Sequence, residues 1–598
     1  MADLSQKSSG FKWLLWGVVA VAAMVAAYCV WSLAFTAWLG AKQVVDPATL
    51  LAFADGTKRQ RGMLILTALL PFGIAGIIAF PFVYQPVKQF GDGRFGNGGE
   101  LRKAGLVAKL GVILGRAVGQ LVIAPSPGNV LISAPPGAGK STGIAIPTLL
   151  TWPGSMLALD TKFELWETTA GLRHKAGQKT FLFAPMTTHT HCYNPLEMLA
   201  EGPQLVDEVD RVANFLIPDP HAGDMWSTEA RALFVGVAVH LFTTTGHVSI
   251  GDVYEWCRDS EATWDKCARV VGAGEVAHPD ALRLLGDFAT KPPKEASGVK
   301  STLTGALNLW GNPIVRAATA RSDFDFRAMR RERSSIYIGV TPPDLVRIEK
   351  LLALIYQQMI DGLCRALPKK DEPHEIIMML DEFAAAGYMP LIKKGLAFLR
   401  GYRVRVVMIV QSPAQLEELY GVAGKRAITD TCKYRVYYQP NDYETAKAIS
   451  AELGTRTMRT STRSVSSKGG GSRNYALGRR ELMLPDEVMR LGEKQMIVFA
   501  EGSRPFRIKK LRYFDEPRFA QRASIKPPPV PALNLGVASV RPKVDEAAML
   551  DAAVLELTQT LADEAATRGM HSDADAIQAD IDSLLAAMRA GDLTTAEA

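Results

Sequence analysis

Asn129-Val130-Leu131-Ile132-Ser133 runs directly into Ala134-Pro135-Pro136-Gly137-Ala138-Gly139-Lys140-Ser141-Thr142, and an apolar helical pattern follows at Ile144–Leu150. A short apolar run closed by small residues reads as a buried strand end, a tight loop and a helix start. Small residues let backbone N–H groups close around phosphate oxygens. Lys140 supplies a cation for the β and γ phosphates, and the Ser141 hydroxyl suits a Mg²⁺ ligand. The helix N-terminus adds the positive end of its dipole. Ala134 stands where such loops usually carry their first glycine, so the predicted loop is Ala134 through Thr142.

A phosphate loop needs a carboxylate strand beside it, and Glu375-Ile376-Ile377-Met378-Met379-Leu380-Asp381-Glu382 has that form. A continuous apolar run is what burial on both faces of a parallel sheet produces. Asp381 is then expected in the Mg²⁺ shell, and Glu382 is expected to polarise the attacking water. A third run, Val404–Val410, ends at Gln411-Ser412. Ligands of open α/β sheets bind beyond the C-terminal strand ends, so Gln411 is either a γ-phosphate sensor or a plain strand-ending glutamine. With Met156–Leu159 as another short strand, the expected fold is α/β: a RecA-like P-loop domain with a parallel central sheet.

The N-terminus departs from this globular pattern. Trp13–Leu39 and Met63–Tyr84 carry no charged residue. At 1.5 Å per residue they reach roughly 40 Å and 33 Å, enough to cross a hydrocarbon core of about 30 Å. The first is too long for the h-region of a cleaved leader. Two transmembrane helices put both termini on one side. Lysines and arginines lie on both flanks and between the runs, so charge alone does not orient them. The nucleotide site does, because ATP is cytosolic. Net charge is +7 overall, yet Val544–Ala598 holds twelve acidic residues and two arginines, leaving about +17 on the rest. A basic body suits a polyanionic partner. The six cysteines contain no C-x-x-C pair, which speaks against a structural zinc site.

The motifs taken together resemble the TraG-type coupling ATPases of conjugation and type IV secretion. Besides the spans and the loop, the likeness rests on Asp160-Thr161-Lys162, Tyr193-Asn194-Pro195-Leu196, Leu380-Asp381-Glu382-Phe383, Gln411-Ser412-Pro413-Ala414-Gln415-Leu416 and Arg480 through Val488, in that order. It covers residues 10 to 515. The family more often has Asp-Pro-Lys-Gly-Glu where this chain has Asp160-Thr161-Lys162-Phe163-Glu164, so Asp160 and Lys162 receive no site role.

The resemblance implies a homo-hexameric ring with ATP sites between subunits, ATP and Mg²⁺ as cofactors, and an inner-membrane location with the ATPase domain in the cytoplasm. Arg400, in Leu399-Arg400-Gly401-Tyr402, matches the family's arginine-finger position; a solvated helix-end cation is the alternative. The implied partners are single-stranded DNA with relaxase and relaxosome proteins, the inner-membrane components of a type IV secretion channel, and membrane lipid. Effector-protein export and a nucleotide-locked scaffold remain as other functions.

The expected division is a membrane anchor at 1–90, the nucleotide-binding domain at 91–201 and 314–525, an inserted all-α domain at 202–313, and a proline linker with an acidic helical tail at 526–598. Arg456–Arg473, with three consecutive glycines among serines and basic residues, reads as a surface linker. The alternative is a loop touching the phosphate backbone of a strand. The tail is expected to dock basic substrate proteins.

Overall fold

The computed structural model describes residues 4–44, 46, 89–125, 127–199, 202–219, 223–259, 261–465 and 471–535. Two compact units form, one of Met1–Arg94 with Ser450–Leu484 and one of Phe95–Ile449 with Pro485–Ala598. The sequence division keeps 450–484 inside the nucleotide-binding domain; in the structure this stretch groups with the N-terminal segment.

In chain order the strands are β1 (Val112–Ala117), β2 (Gln120–Ala124), β3 (Val130–Ser133), β4 (Ser155–Asp160), β5 (Lys179–Phe183), β6 (Ser334–Gly339), β7 (Ile376–Leu380), β8 (Val404–Val410), β9 (Tyr434–Tyr437), β10 (Thr455–Val465), β11 (Gly471–Glu481), β12 (Gln495–Ala500) and β13 (Phe506–Lys509). All but β10 and β11 join one sheet in the order β2-β1-β13-β12-β9-β3-β8-β7-β4-β6-β5. From β9 to β5 every neighbouring pair is parallel. The expectation of a parallel sheet needs one correction, because β12, β13, β1 and β2 add an antiparallel flank beyond β9.

The central parallel strands are mostly apolar because helices cover both faces, with Arg405 in β8 and Arg435 in β9 as exceptions. Side chains alternate across a strand, and Met378 and Leu380 enter one hydrophobic cluster while Ile377 and Met379 enter the other. Ile144, Ile146 and Leu149, which follow the phosphate loop, pack in the second cluster. Their helix begins as a π-turn, Ser141–Ala145, before Ile146–Leu149. Pro147 accounts for the widening, since its ring lacks an N–H and crowds the carbonyl four residues back. The buried Arg173 guanidinium collects the Leu149, Trp152 and Gly154 carbonyls at 2.7, 3.1 and 2.8 Å, which satisfies the end of that helix.

Between β5 and β6 the chain is helical, with Leu205–Leu216, Met225–Thr245, Ile250–Arg258, Thr263–Gly272, Pro279–Ala289 and Pro293–Ala306. Local signals set several starts: Asp224 caps the second through the Ser227 N–H at 2.8 Å, and Ser249 with Asp252 forms a capping box. Ile250–Arg258 and Thr263–Gly272 are separate helices, and Thr263 Oγ1 ties the start of the second to the Cys257 carbonyl at 2.9 Å. Asn194 of the Asn-Pro-Leu motif is fully buried and donates to the Val248 carbonyl at 2.9 Å, joining this region to the sheet.

The proline segment is not a free linker at its start. The Thr190 N–H donates to the Pro531 carbonyl at 3.0 Å and the Leu533 N–H to the Thr188 carbonyl at 2.7 Å, so the chain is laced onto the core as far as Leu533. The acidic helices expected beyond lie outside the described residues.

In the other unit Leu4–Leu39 is one helix, and its Val21–Trp38 portion is long and apolar enough to cross a membrane. Val21, Met24, Val25, Val30 and Leu33 are exposed, whereas Ala27, Trp31 and Phe35 are buried. The second expected span, Met63–Tyr84, lies outside the described residues. The expectation of a linker at Arg456–Arg473 is overturned: β10 and β11 pair antiparallel from Thr455↔Glu481 to Val465↔Gly471. The strand signal was Thr455, Thr457, Thr460 and Thr462, whose β-branched side chains favour extended backbone.

Candidate nucleotide site

Ser133 ends β3 and the phosphate loop turns over it. Gly137 and Gly139 sit at φ 73° and 81°, in the left-handed region where glycine is unstrained. The Ala138 N–H donates to the Pro135 carbonyl at 3.2 Å and the Gly143 N–H to the Gly139 carbonyl at 3.0 Å, closing the loop onto the helix start.

The strand order assembles the rest. Because β8 lies between β3 and β7, Gln411 falls between Lys140 and the carboxylates. The register aligns Ser133 with Val410 and Leu380 with Met408, so all three strands end at one edge. There the Lys140 Nζ donates to Glu382 Oε2 at 2.6 Å, with both side chains under a fifth exposed. The Gln411 amide lies 3.3 Å from each Glu382 oxygen, and its backbone N–H donates to Gln415 Oε1 at 2.8 Å. The Ser141 hydroxyl donates to Asp381 Oδ2 at 2.6 Å.

Burial raises the Asp381 carboxyl above its ordinary range, while the Ser141 hydrogen bond and the Lys140 charge pull it back. Its Oδ1 is buried and has no hydrogen-bond partner among the described residues. A buried carboxylate oxygen without a partner, beside a hydroxyl and at a strand end, is a donor set that fits a divalent cation. Asp381 and Ser141 are thus the residues that would hold Mg²⁺.

Asp160 is nearer this cluster than the sequence suggests. It ends β4, next to β7, and is 2% exposed. Burial pushes its carboxyl up to about 7, against backbone hydrogen bonds from Trp166 and Lys162, and the Asp381 charge adds to the rise. The Trp166 N–H reaches Asp160 Oδ2 at 2.8 Å. Asp160 thereby fixes the start of the following helix, whose first turn opens from Phe163 at φ 59°.

Two further residues escape sequence reasoning. The Lys510 ammonium donates to the Ala138 carbonyl at 3.2 Å, on the outside of the phosphate loop, and lies 4.1 Å from the centre of the Tyr438 ring. Burial lowers the Lys510 pKa. The Tyr438 hydroxyl is fully buried without a partner among the described residues. Both arrive through long-range pairing: Tyr438 follows β9 and Lys510 follows β13.

Arg400 is not brought to this cluster. It is exposed and precedes β8, at the sheet edge opposite the loop, about 23 Å away along the seven-residue strand.

The sequence profile of the family described as type IV secretory system conjugative DNA transfer matches residues 95–531. The chain belongs to that family. Among curated members, Protein VirD4 of Agrobacterium fabrum (strain C58) is 32% identical over 447 residues, covering 72% of this chain and 66% of the relative. The conjugal transfer protein TraG of Escherichia coli is 31% identical, covering 68% of this chain and 70% of its own. The chain therefore spans just under two thirds of the VirD4 length. The solved plasmid coupling protein TrwB, in complex with a non-hydrolysable ATP analogue, superposes with a TM-score of 0.53 at 17% identity, over 72% of this chain and 96% of the other. That likeness establishes the α/β P-loop-type fold of the family for this chain.

Proposed function

We propose that this chain is a coupling protein of conjugative transfer and type IV secretion: a membrane-anchored ATPase that recruits DNA with its relaxase, or a protein substrate, and drives it into the secretion channel. The observation that carries the reading is the convergence of Lys140, Glu382 and Gln411 beside the Ser141–Asp381 pair, in a member of the conjugative DNA transfer family. TrwB structures with ADP and Mg²⁺ and with an ATP analogue support nucleotide and magnesium as the ligands.

In this reading the loop from Ala134 to Thr142 wraps the phosphates through its N–H groups. Lys140 exchanges its bond with Glu382 for the γ-phosphate, which frees the carboxylate to orient water. Gln411 stays in hydrogen-bond range of that carboxylate and reports the phosphate. Mg²⁺, when bound, neutralises charge developing on the phosphate oxygens. Arg400, remote from its own site, completes the neighbour's site in a homo-hexamer. Residues 1–90 anchor the ring in the bacterial inner membrane with two spans. The helical region at 202–313 meets the substrate, and the tail beyond 526 docks relaxosome proteins.

Measuring ATP turnover of the full chain with and without single-stranded DNA at low salt, with Lys140→Ala as control, tests the proposal. Stimulation that disappears in the control is expected; turnover indifferent to DNA would move the cargo to effector protein.

A further inference from the structure

The β10–β11 hairpin has no part in the nucleotide chemistry. Its strands are eleven residues each, so the ribbon extends about 37 Å. Between Thr455 and Glu481 the sequence holds six arginines and one lysine against Glu481 as its single carboxylate. Beyond Thr457 the described side chains of β10 are exposed, as are Tyr475, Ala476, Leu477 and Arg479 of β11. A two-stranded ribbon whose described side chains are this exposed is marginal in water and gains from a surface to lie on.

The register decides which side chains share a face. Thr457 pairs with Arg479, Arg459 with Leu477 and Ser461 with Tyr475, so one face carries Arg459, Tyr475, Leu477 and Arg479. The Arg459 guanidinium lies 4.1 Å from the centre of the Tyr475 ring, which is 52% exposed, and Leu477 is 37% exposed. Guanidinium groups bind phosphate through paired hydrogen bonds. A tyrosine and a leucine beside them suit the boundary between headgroups and acyl chains.

The base of the ribbon fixes its location. Thr455 Oγ1 donates to the Phe90 carbonyl at 2.7 Å, the Thr457 N–H to the Gly91 carbonyl at 3.1 Å, and the Gly93 N–H to the Thr455 carbonyl at 2.9 Å. Gly91 sits at φ +124°, and a Cβ there would fall 2.4 Å from the Thr455 carbonyl, so the contact requires glycine. Phe90 comes six residues after Tyr84, the end of the second apolar run, a tether of at most about 20 Å.

We propose that the Arg459–Tyr475–Leu477–Arg479 face of the hairpin docks onto the anionic lipid headgroups of the membrane that anchors the chain. This rests on the membrane-anchored reading given above. Juxtamembrane basic segments are drawn to anionic leaflets and released by salt.

The test is hydrogen–deuterium exchange over residues 455–481 in the full chain, carried in nanodiscs of phosphatidylcholine alone or with phosphatidylglycerol. Exchange slowed at least about tenfold by phosphatidylglycerol, and restored by 0.5 M salt, is expected. The double substitution Arg459→Gln, Arg479→Gln should abolish the slowing while ATP turnover is unchanged. The salt titration on the unaltered chain covers the case in which that variant unfolds the ribbon. Equal exchange in both lipids overturns the docking. Protection produced in neutral discs by an oligonucleotide, or by oligomerisation regardless of lipid, overturns it in favour of nucleic acid or a second copy. A chain that fails to enter nanodiscs overturns the anchored reading and the docking with it.

Discussion

Lys140 and Glu382 are joined directly, ammonium to carboxylate, at 2.6 Å. In the proposed mechanism a γ-phosphate competes with Glu382 for the lysine, and the carboxylate proposed to orient water is released by the same event that binds the nucleotide. Substituting the two residues separates these roles. Lys140→Ala should lower kcat by about 10² to 10³, as loss of one preorganised charge donor does, and weaken ATP binding. Glu382→Gln should keep ATP binding and lose about 10² to 10⁴ in turnover. Equilibrium binding of a fluorescent ATP analogue beside steady-state turnover measures both; a Glu382→Gln protein that still turns over ATP would remove Glu382 from the chemistry.

Arg400→Ala should leave nucleotide binding intact and reduce turnover by about 10³ to 10⁵, the range for a lost arginine finger. Mixing Arg400→Ala with Lys140→Ala protein should recover part of the activity, since some sites then combine an intact loop with a neighbour's intact arginine. Absence of recovery would make Arg400 an ordinary surface cation.

Lys510→Met keeps the length of the side chain and removes the charge that grips the Ala138 carbonyl. The loop should bind ATP about tenfold more weakly, the worth of one charged hydrogen bond, with kcat nearly unchanged. A KM-against-kcat comparison separates this from a catalytic role, and Lys510→Arg should rescue most of the loss.

Asp160 gives a pH prediction. Its carboxyl is raised to about 7 in the folded chain from an ordinary value of 3.8. The folded state thus holds the proton longer than the unfolded state does, and stability falls as pH rises from about 4 to about 7. Asp160→Asn removes that titration while keeping an acceptor for the Trp166 N–H. Its melting temperature should match the parent near pH 4 and exceed it at pH 8, by no more than about 4 kcal/mol in stability. Melts in a chelating buffer measure this, and a variant less stable at pH 8 would assign Asp160 an essential charged role.

The parts of the site that lie on one strand and the loop after it were legible in the sequence. Lys140, Ser141, Asp381, Glu382 and Gln411 each sit at the polar end of an apolar run, a pattern that needs no knowledge of partners. Lys510 and Tyr438 were not legible, because β13 on the antiparallel flank brings the first to the loop and the parallel pairing of β9 with β3 brings the second, and no local spacing encodes either pairing. Asp160 was set aside for its altered turn, although its place at the end of β4 depends on strand adjacency. Arg405 shows the limit of hydropathy: it interrupts the β8 run yet is buried, its guanidinium bonded to the Gly128 and Ala124 carbonyls at 2.7 and 3.0 Å. The hairpin was hidden because the glycines and serines between Ser464 and Ser472 outweighed the four threonines of β10.

Strand β8 has Arg400 four residues before its start and Gln411 just after its end, and all seven of its residues are buried. A strand gripped on both faces and both edges does not stretch, so a shift felt at one end is delivered whole to the other. If Arg400 serves a neighbour as proposed, each subunit would carry a push-rod from the site proposed to read its own phosphate to the lever it extends next door. Around a closed ring, such rods would set the order in which subunits fire.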